Sequence, residues 1–300
     1  MPVGTYPLGP PSVSNNQLTV DTALQSPTRI SRTIAELAAQ RFFVDRLFAI
    51  GGDVQGGAVQ YETPPTVATD LYSGRDVQRI EPGAQYPAVT GERGPDAVAA
   101  VEKWGGEFPV PDEARDRNDT GLLARNTRQL SNTLQRKIQQ RGVSVLDALL
   151  VSYSRTLNPS VSFSAAAALT FSTKTDAAGP LAAFAEAIEV FETDERGYLP
   201  SGLLLNPAQT SDLMKVLGAA NWKSALAEFG INEVFSTPRV AAGTAYLYAA
   251  QAVGQLRYEQ GVTTQVVRED RRDRSVVKSG ARFVVFGNEP YAALKLTSIA

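Results

Sequence analysis

Apolar positions recur along this chain at two spacings, and the changes of spacing predict where helices give way to strands. From Leu123 through Thr127, Leu130, Leu134 and Ile138 the interval is three or four residues, one apolar stripe on a helix of about eight turns. Asp112 and Glu113 open this helix behind Pro111, acids at the positive end of its dipole. Arg136, Lys137 and Arg141 suit its negative end, and Gly142 is read as its terminator. A short helix is expected over 31–40 with Ser31 as N-cap, and a further turn or two over 143–153. Pro180 starts another, with Leu181, Phe184, Ile188 and Phe191 on its apolar face. Asn206 caps a third, with Pro207 in first position, that runs to Leu217. Strands are expected over 41–50, 108–110 (after a turn at Gly105 and Gly106), 161–164, 168–173, 203–205, 233–238, 245–249, 255–259, 265–267, 283–286 and the alternating 291–299. Helices and strands interleave without a βαβ rhythm or a repeat, so the class is α+β.

Two segments break this pattern. Six of the first eleven residues are Pro or Gly, which predicts an extended N-terminal arm with no core of its own. Residues 51–96 hold eight Gly and five Pro in 46 positions, against 22 in the 204 that follow. Yet this breaker-rich window also carries Val54, Val59, Tyr61, Val67, Leu71, Tyr72, Val77, Ile80, Tyr86 and Val89. A long insertion of half-apolar character is expected to be a projecting β-hairpin that lies on another subunit, because the alternative is a sticky exposed patch.

Composition narrows the chemistry. The 300 residues contain no Cys and no His, which removes disulfides, thiolate or imidazole metal sites, thiol nucleophiles and imidazole bases. The net charge of -2 lacks the footprint of a dedicated nucleic-acid binder. There is no membrane-length apolar run and no secretory leader pattern. Ser275 and Lys278 match S-x-x-K, but an extended backbone would send them to opposite faces. Asp112, Glu113 and Asp116 alternate with Arg115 and Arg117, an arrangement of ion pairs. Glu192, Asp194 and Glu195 form an acidic turn expected to be solvated. The seven consecutive charges 268–274 are either an exposed connector or an intersubunit ion-pair seam. Trp104 and Trp222 are expected to anchor packing. No catalytic, cofactor-binding or metal-ligating set emerges, and no cofactor is expected.

In order and spacing, four stretches resemble the major capsid proteins of tailed bacteriophages with the Hong Kong 97-type fold. They are 103–118 running into Leu122 through Ile138; Gly202-Leu-Leu-Leu-Asn-Pro-Ala208 continuing to Leu213; 234–248 with its central Gly-Thr; and Arg282-Phe-Val-Val-Phe with Pro290-Tyr-Ala-Ala-Leu. The resemblance implies an N-terminal arm (1–45), an extended E-loop (46–92), a peripheral domain carrying a long spine helix (93–158 and 266–300) and an axial domain (159–265). It implies a non-enzymatic shell subunit that assembles with itself as pentamers and hexamers into an icosahedral head in the virion. That head would enclose double-stranded DNA with weak, non-specific contact. A portal, possible cement proteins and a separate scaffolding protein are implied partners, since this N-terminus is short for a built-in scaffold. Residues 46–92 contain no lysine, so the isopeptide cross-link of some relatives is not available from this loop. An encapsulin-like compartment shell is the alternative of the same fold, and a soluble enzyme using carboxylates is a remote one.

Overall fold

The computed structural model describes residues 20–25, 27, 28, 30–32, 34, 43–65, 71, 72, 77–89, 91, 93–159, 180–218 and 221–299. The strands expected over 161–164 and 168–173, and most of the N-terminal arm, lie outside them. Two sheets and one long helix organise the rest. The four-stranded sheet has the order β1 (Phe48–Ile50), β9 (Gly254–Glu269), β10 (Arg274–Gly287), β4 (Glu102–Pro111). The five-stranded sheet has the order β5 (Thr156–Leu157), β11 (Ala293–Leu296), β8 (Ala245–Tyr248), β6 (Gly202–Leu205), β7 (Glu233–Ser236). A separate hairpin pairs β2 (Ala58–Glu62) with β3 (Asp96–Ala100) in antiparallel register. The five-stranded sheet is covered by α5 (Pro180–Thr193), α6 (Pro207–Leu217) and α7 (Trp222–Glu228), whose Phe184, Phe191, Leu213, Trp222 and Leu226 pack on Leu203, Leu205 and Leu247. Asn206 caps α6 through Ala208 N–H, with Pro207 behind it, as the Asn-Pro pair predicts.

The long helix differs from its expectation at both ends. Residues 112–116 form a separate short helix, α3, and Asn118 then takes a left-handed turn. Asp119 restarts the chain by accepting Leu122 N–H, so the spine helix α4 spans Thr120–Ser152, 33 residues or about 50 Å. Gly142 does not end it. A side chain there would sit 3.0 Å from Val44 Cγ2, so this glycine admits the neighbouring helix α2 (Val44–Leu47) to the middle of α4. The same logic corrects the turn expected at Gly105 and Gly106. These residues lie inside the continuous β4, where a Cβ at 105 would meet Ser279 O at 2.9 Å and one at 106 would meet Leu130 Cδ1 at 2.8 Å. In both places glycine marks close approach, which local propensity cannot distinguish from a chain reversal.

Three further expectations are corrected. Residues 41–50 are not one strand: α2 precedes the three-residue β1, because Phe43, Val44, Leu47 and Phe48 all enter one core and helical spacing brings them to the same side. Ser31 is not an N-cap; it sits among helical residues, and its Oγ donates to Val262 O at 2.8 Å. The strands expected at 255–259 and 265–267 are one strand of 16 residues, so the domain change expected between 265 and 266 falls within β9.

Side chains of α4 and the four-stranded sheet interdigitate along one face, Leu134 against Phe108, Val110 and Val277, and Leu146 and Leu150 in the same cluster as Phe283 and Val285. Two polar links, one half-buried and one largely buried, tie this layer to the five-stranded sheet. Asp147 accepts from Tyr246 Oη at 2.9 Å and pairs with Lys295 at 2.5 Å; burial and this carboxylate together hold the phenol's pKa well above its ordinary value. The guanidinium of the buried Arg155 pairs with Asp194 at 2.7 Å and lies over the rings of Phe191 and Tyr291. Glu192 and Glu195 are exposed as expected of a solvated turn, whereas Asp194 is corrected to a structural ion-pair partner.

Phe48 is fully buried where the projecting segment leaves the core. Phe48→Ala is expected to lower unfolding free energy by about 3–5 kcal/mol in a denaturant titration of the subunit, the range for deleting a buried aromatic ring.

Candidate functional site

The feature that sets this chain apart from an ordinary globular domain starts at β1 and ends at β3. Gly51 N–H donates to Leu256 O and Val54 N–H to Tyr258 O, each at 3.0 Å, which ties the outgoing segment to β9. Val54 and Val59 are buried against Val284 and Phe286 on the side of β10 away from α4. Tyr61 stacks on Phe286 with ring centroids 4.6 Å apart, and burial raises the pKa of its phenol. Above this base the two limbs are pinned together: Thr63 N–H donates to Pro95 O at 3.2 Å, and Arg93 pairs with Glu62 at 3.2 Å and Asp96 at 2.8 Å. From the spine helix, Tyr153 Oη reaches Pro64 O at 2.6 Å. The hairpin expected around Val59 and Tyr61 is present, with a rigid foundation.

Past Pro64 the described residues of the loop are mostly exposed. Leu71, Tyr72, Val77, Tyr86 and Val89 are exposed, Val77 by 80% and Tyr86 by 81%. Five of the twelve large apolar side chains exposed among the described residues thus come from this loop, which holds far fewer than five twelfths of them. Such density without a core beneath it is the mark of a contact surface. Tyr72 Oη donates to Glu195, the loop's one polar tie among the described residues to the acidic turn after α5.

The residues screened as candidate chemistry are not assembled into a reactive site. Ser275 is buried on one face of β10 and Lys278 exposed on the other. Asp112 is held by both terminal nitrogens of Arg268, which also reaches Asp270 at 3.1 Å. Arg274 pairs with Glu269 at 2.7 Å, so one of these two arginines of the 268–274 run braces its own hairpin and the other ties it to α3. Trp222 is buried and Trp104 half-buried, donating to Glu102 at 2.8 Å; both anchor packing. No group of three acidic side chains suited to a metal ion occurs among the described residues. The polar links Arg155–Asp194 and Asp147–Lys295 were not signalled in the sequence, since each joins residues scattered along the chain.

The model of a family described as phage capsid protein matches residues 95–296, 202 of the 300. The chain belongs to the phage capsid protein family. No curated protein matches it. Among solved structures, a phage-related protein from Bordetella bronchiseptica aligns with a TM-score of 0.61 at 14% identity, over 91% of this chain and 97% of its own. The capsid of the cyanophage P-SCSP1u aligns at 0.59 and 13%, over 84% and 86%. The virus-like particle from Pyrococcus furiosus aligns at 0.57 and 13%, over 89% and 98%. At these identities the likeness is one of fold, the Hong Kong 97-type shell fold. This capsid subunit is a structural protein of a phage head, and its projecting loop is surface that one copy leaves unburied.

Two outcomes follow. Tyr86→Ser combined with Val89→Ser is expected to change subunit stability by less than about 0.5 kcal/mol, as for other exposed positions, while lowering the yield of assembled particles. The Arg268 hydrogen bonds depress the pKa of Asp112, so their stabilisation is present above the ordinary carboxylate range and is lost as pH falls through the folded value. Asp112→Asn is expected to flatten the acid limb of a thermal-melting pH series.

Proposed function

We propose that this subunit assembles as pentamers and hexamers into a closed icosahedral head shell that encloses double-stranded DNA. The observation that carries this reading is a loop with an anchored base whose Leu71, Tyr72, Tyr86 and Val89 are exposed. In a ring of copies each loop lies on the next subunit, and contacts that are individually weak add by avidity. We assign residues 1–45 as the N-terminal arm and 46–92 as the E-loop. The peripheral domain is 93–158 with 266–300, and the axial domain is 159–265, whose β6, β7 and β8 share the five-stranded sheet with β5 and β11 of the peripheral segments. Since β9 is continuous, the two domains share a strand, which suits a plate that keeps one shape while rings of five and six form. The role is non-enzymatic. A portal, a separate scaffolding protein and cement proteins complete the partners, and the mature location is the virion, after assembly in the host cytoplasm.

The fold likeness to the Pyrococcus furiosus virus-like particle supports a second reading, an encapsulin-like shell around folded cargo. The family match favours the phage head. Electron microscopy of purified particles with an assay for nuclease-protected nucleic acid separates the two. Rings of five and six around protected DNA are expected; intact shells filled with folded protein and free of DNA would select the compartment.

Replacing 66–92 by a short turn is expected to leave a folded subunit, because Thr63 and Pro95 are already bonded and can close β2 onto β3. The same variant is expected to form no closed shells by electron microscopy. Intact particles from it would contradict the loop-on-neighbour reading.

A further inference from the structure

The two faces of the layer formed by α4 and the four-stranded sheet carry different charge. From Thr120 to Leu146 the spine helix has no acidic residue, 27 positions in a chain whose acids outnumber its bases by 31 to 29. Its buried side holds Thr127, Ser131, Leu134 and Ile138. On the opposite side, Arg125, Arg128 and Arg136 are exposed together with Gln129, Asn132 and Gln140. At 100° per residue these six fall within an arc of about 120°, and the three arginines span about 16 Å of the helix axis. Arg125, Arg128 and Arg136 have no ion-pair partner among the described residues, whereas Arg141 of the same helix pairs with Glu102 at 2.6 Å. Of the acids that precede the stripe, Asp112 pairs with Arg268 and Asp119 caps the helix, while Glu113 and Asp116 are exposed on the separate helix α3.

The other face of the sheet is built differently. There Lys103, Gly105, Glu107, Lys278, Gly280 and Arg282 border an open groove of about 620 Å³. Its cations alternate with acids, Lys278 against Glu107 at 3.4 Å and Arg282 against Glu259 at 3.8 Å. On that face two of the three cations are paired with acids; on the helix face the three guanidinium groups stand among neutral amides with no ion pair among the described residues.

We propose that the exposed stripe Arg125–Arg128–Arg136 of the spine helix is the surface through which the shell touches the phosphate backbone of the enclosed duplex, which makes the helix side of the layer the lumenal side. Guanidinium forks bind phosphate oxygens bidentately, and Gln129, Asn132 and Gln140 add neutral donors that read no sequence. Three contacts per subunit give a weak hold, multiplied over many copies, so packaged DNA is lined up against the wall without being gripped by any one tile. This inference rests on the reading of the particle as a DNA-filled head.

The test uses the full-length unassembled subunit and a random-sequence DNA duplex, with affinity measured between 50 and 200 mM salt. Each lost phosphate contact makes the log–log salt slope shallower by about 0.9. Arg125→Gln/Arg128→Gln/Arg136→Gln is expected to reduce the slope by about 3, so that the unaltered protein loses about 40-fold more affinity than the variant across this range. The corresponding triple Arg→Lys variant should restore the slope, and Lys103→Gln/Lys278→Gln/Arg282→Gln on the groove face should leave it unchanged. Circular dichroism confirms that each variant is folded. A slope unaffected by the Arg→Gln variant, one not restored by lysine, or one equally reduced by the control variant overturns the assignment. Binding of poly-glutamate in preference to the duplex overturns it too, in favour of an acidic protein partner. Particles of the unaltered protein are assayed in parallel for rings and protected DNA. Shells without DNA would fail the head reading, whereas DNA-filled shells with an unchanged slope fail only the stripe.

Discussion

What governs this subunit is a mismatch between anchoring and burial in one loop. Its base is anchored by the burial of Val54 and Val59 and by the Tyr61–Phe286 stack, with the exposed Arg93 ion pairs beside them. Its outer part exposes Tyr72, Val77, Tyr86 and Val89 to solvent. A flexible apolar loop would collapse onto its own chain; a rigidly based one is held out until another surface covers it. On the proposed reading a neighbouring copy covers this surface, and its burial helps hold the shell together.

The rest of the molecule supports that arrangement. The helix α4, about 50 Å long, packs along the sheet that carries the loop base, and β9 runs unbroken past it. Arg155–Asp194 and Asp147–Lys295 fasten the five-stranded sheet to this frame with charges drawn from distant parts of the chain. Buried or half-buried ion pairs of this kind add little net stability but are costly to break, so they fix one relative placement of the two layers. A subunit that repeats many times in a closed surface needs that uniqueness more than it needs extra stability.

Much of this was legible in the residues because local signals and tertiary demands agreed. The Asn206-Pro207 cap, the Leu203–Leu205 strand, the stripe on α4 and the hairpin at Val59–Tyr61 each follow from spacing or capping chemistry that the fold then uses. The failures share one cause. Gly105, Gly106 and Gly142 look like punctuation, yet each is a place where another element comes too close for a side chain. Residues 43–48 look like a strand by composition, but four of them enter one core and need helical spacing to do so. Asp194 looks solvated because nothing near it in the chain announces Arg155. The absence of histidine and cysteine did the opposite kind of work, closing off chemistry before any geometry was known.

The central claim is that the projecting loop finishes its burial on a neighbouring copy, and amide hydrogen exchange over 77–89 measures this directly. The account predicts rapid exchange in the unassembled subunit and strong protection in the closed particle, while β2 and β3 are protected in both. Protection of 77–89 already complete in the isolated subunit, or equally rapid exchange in both states, would contradict it.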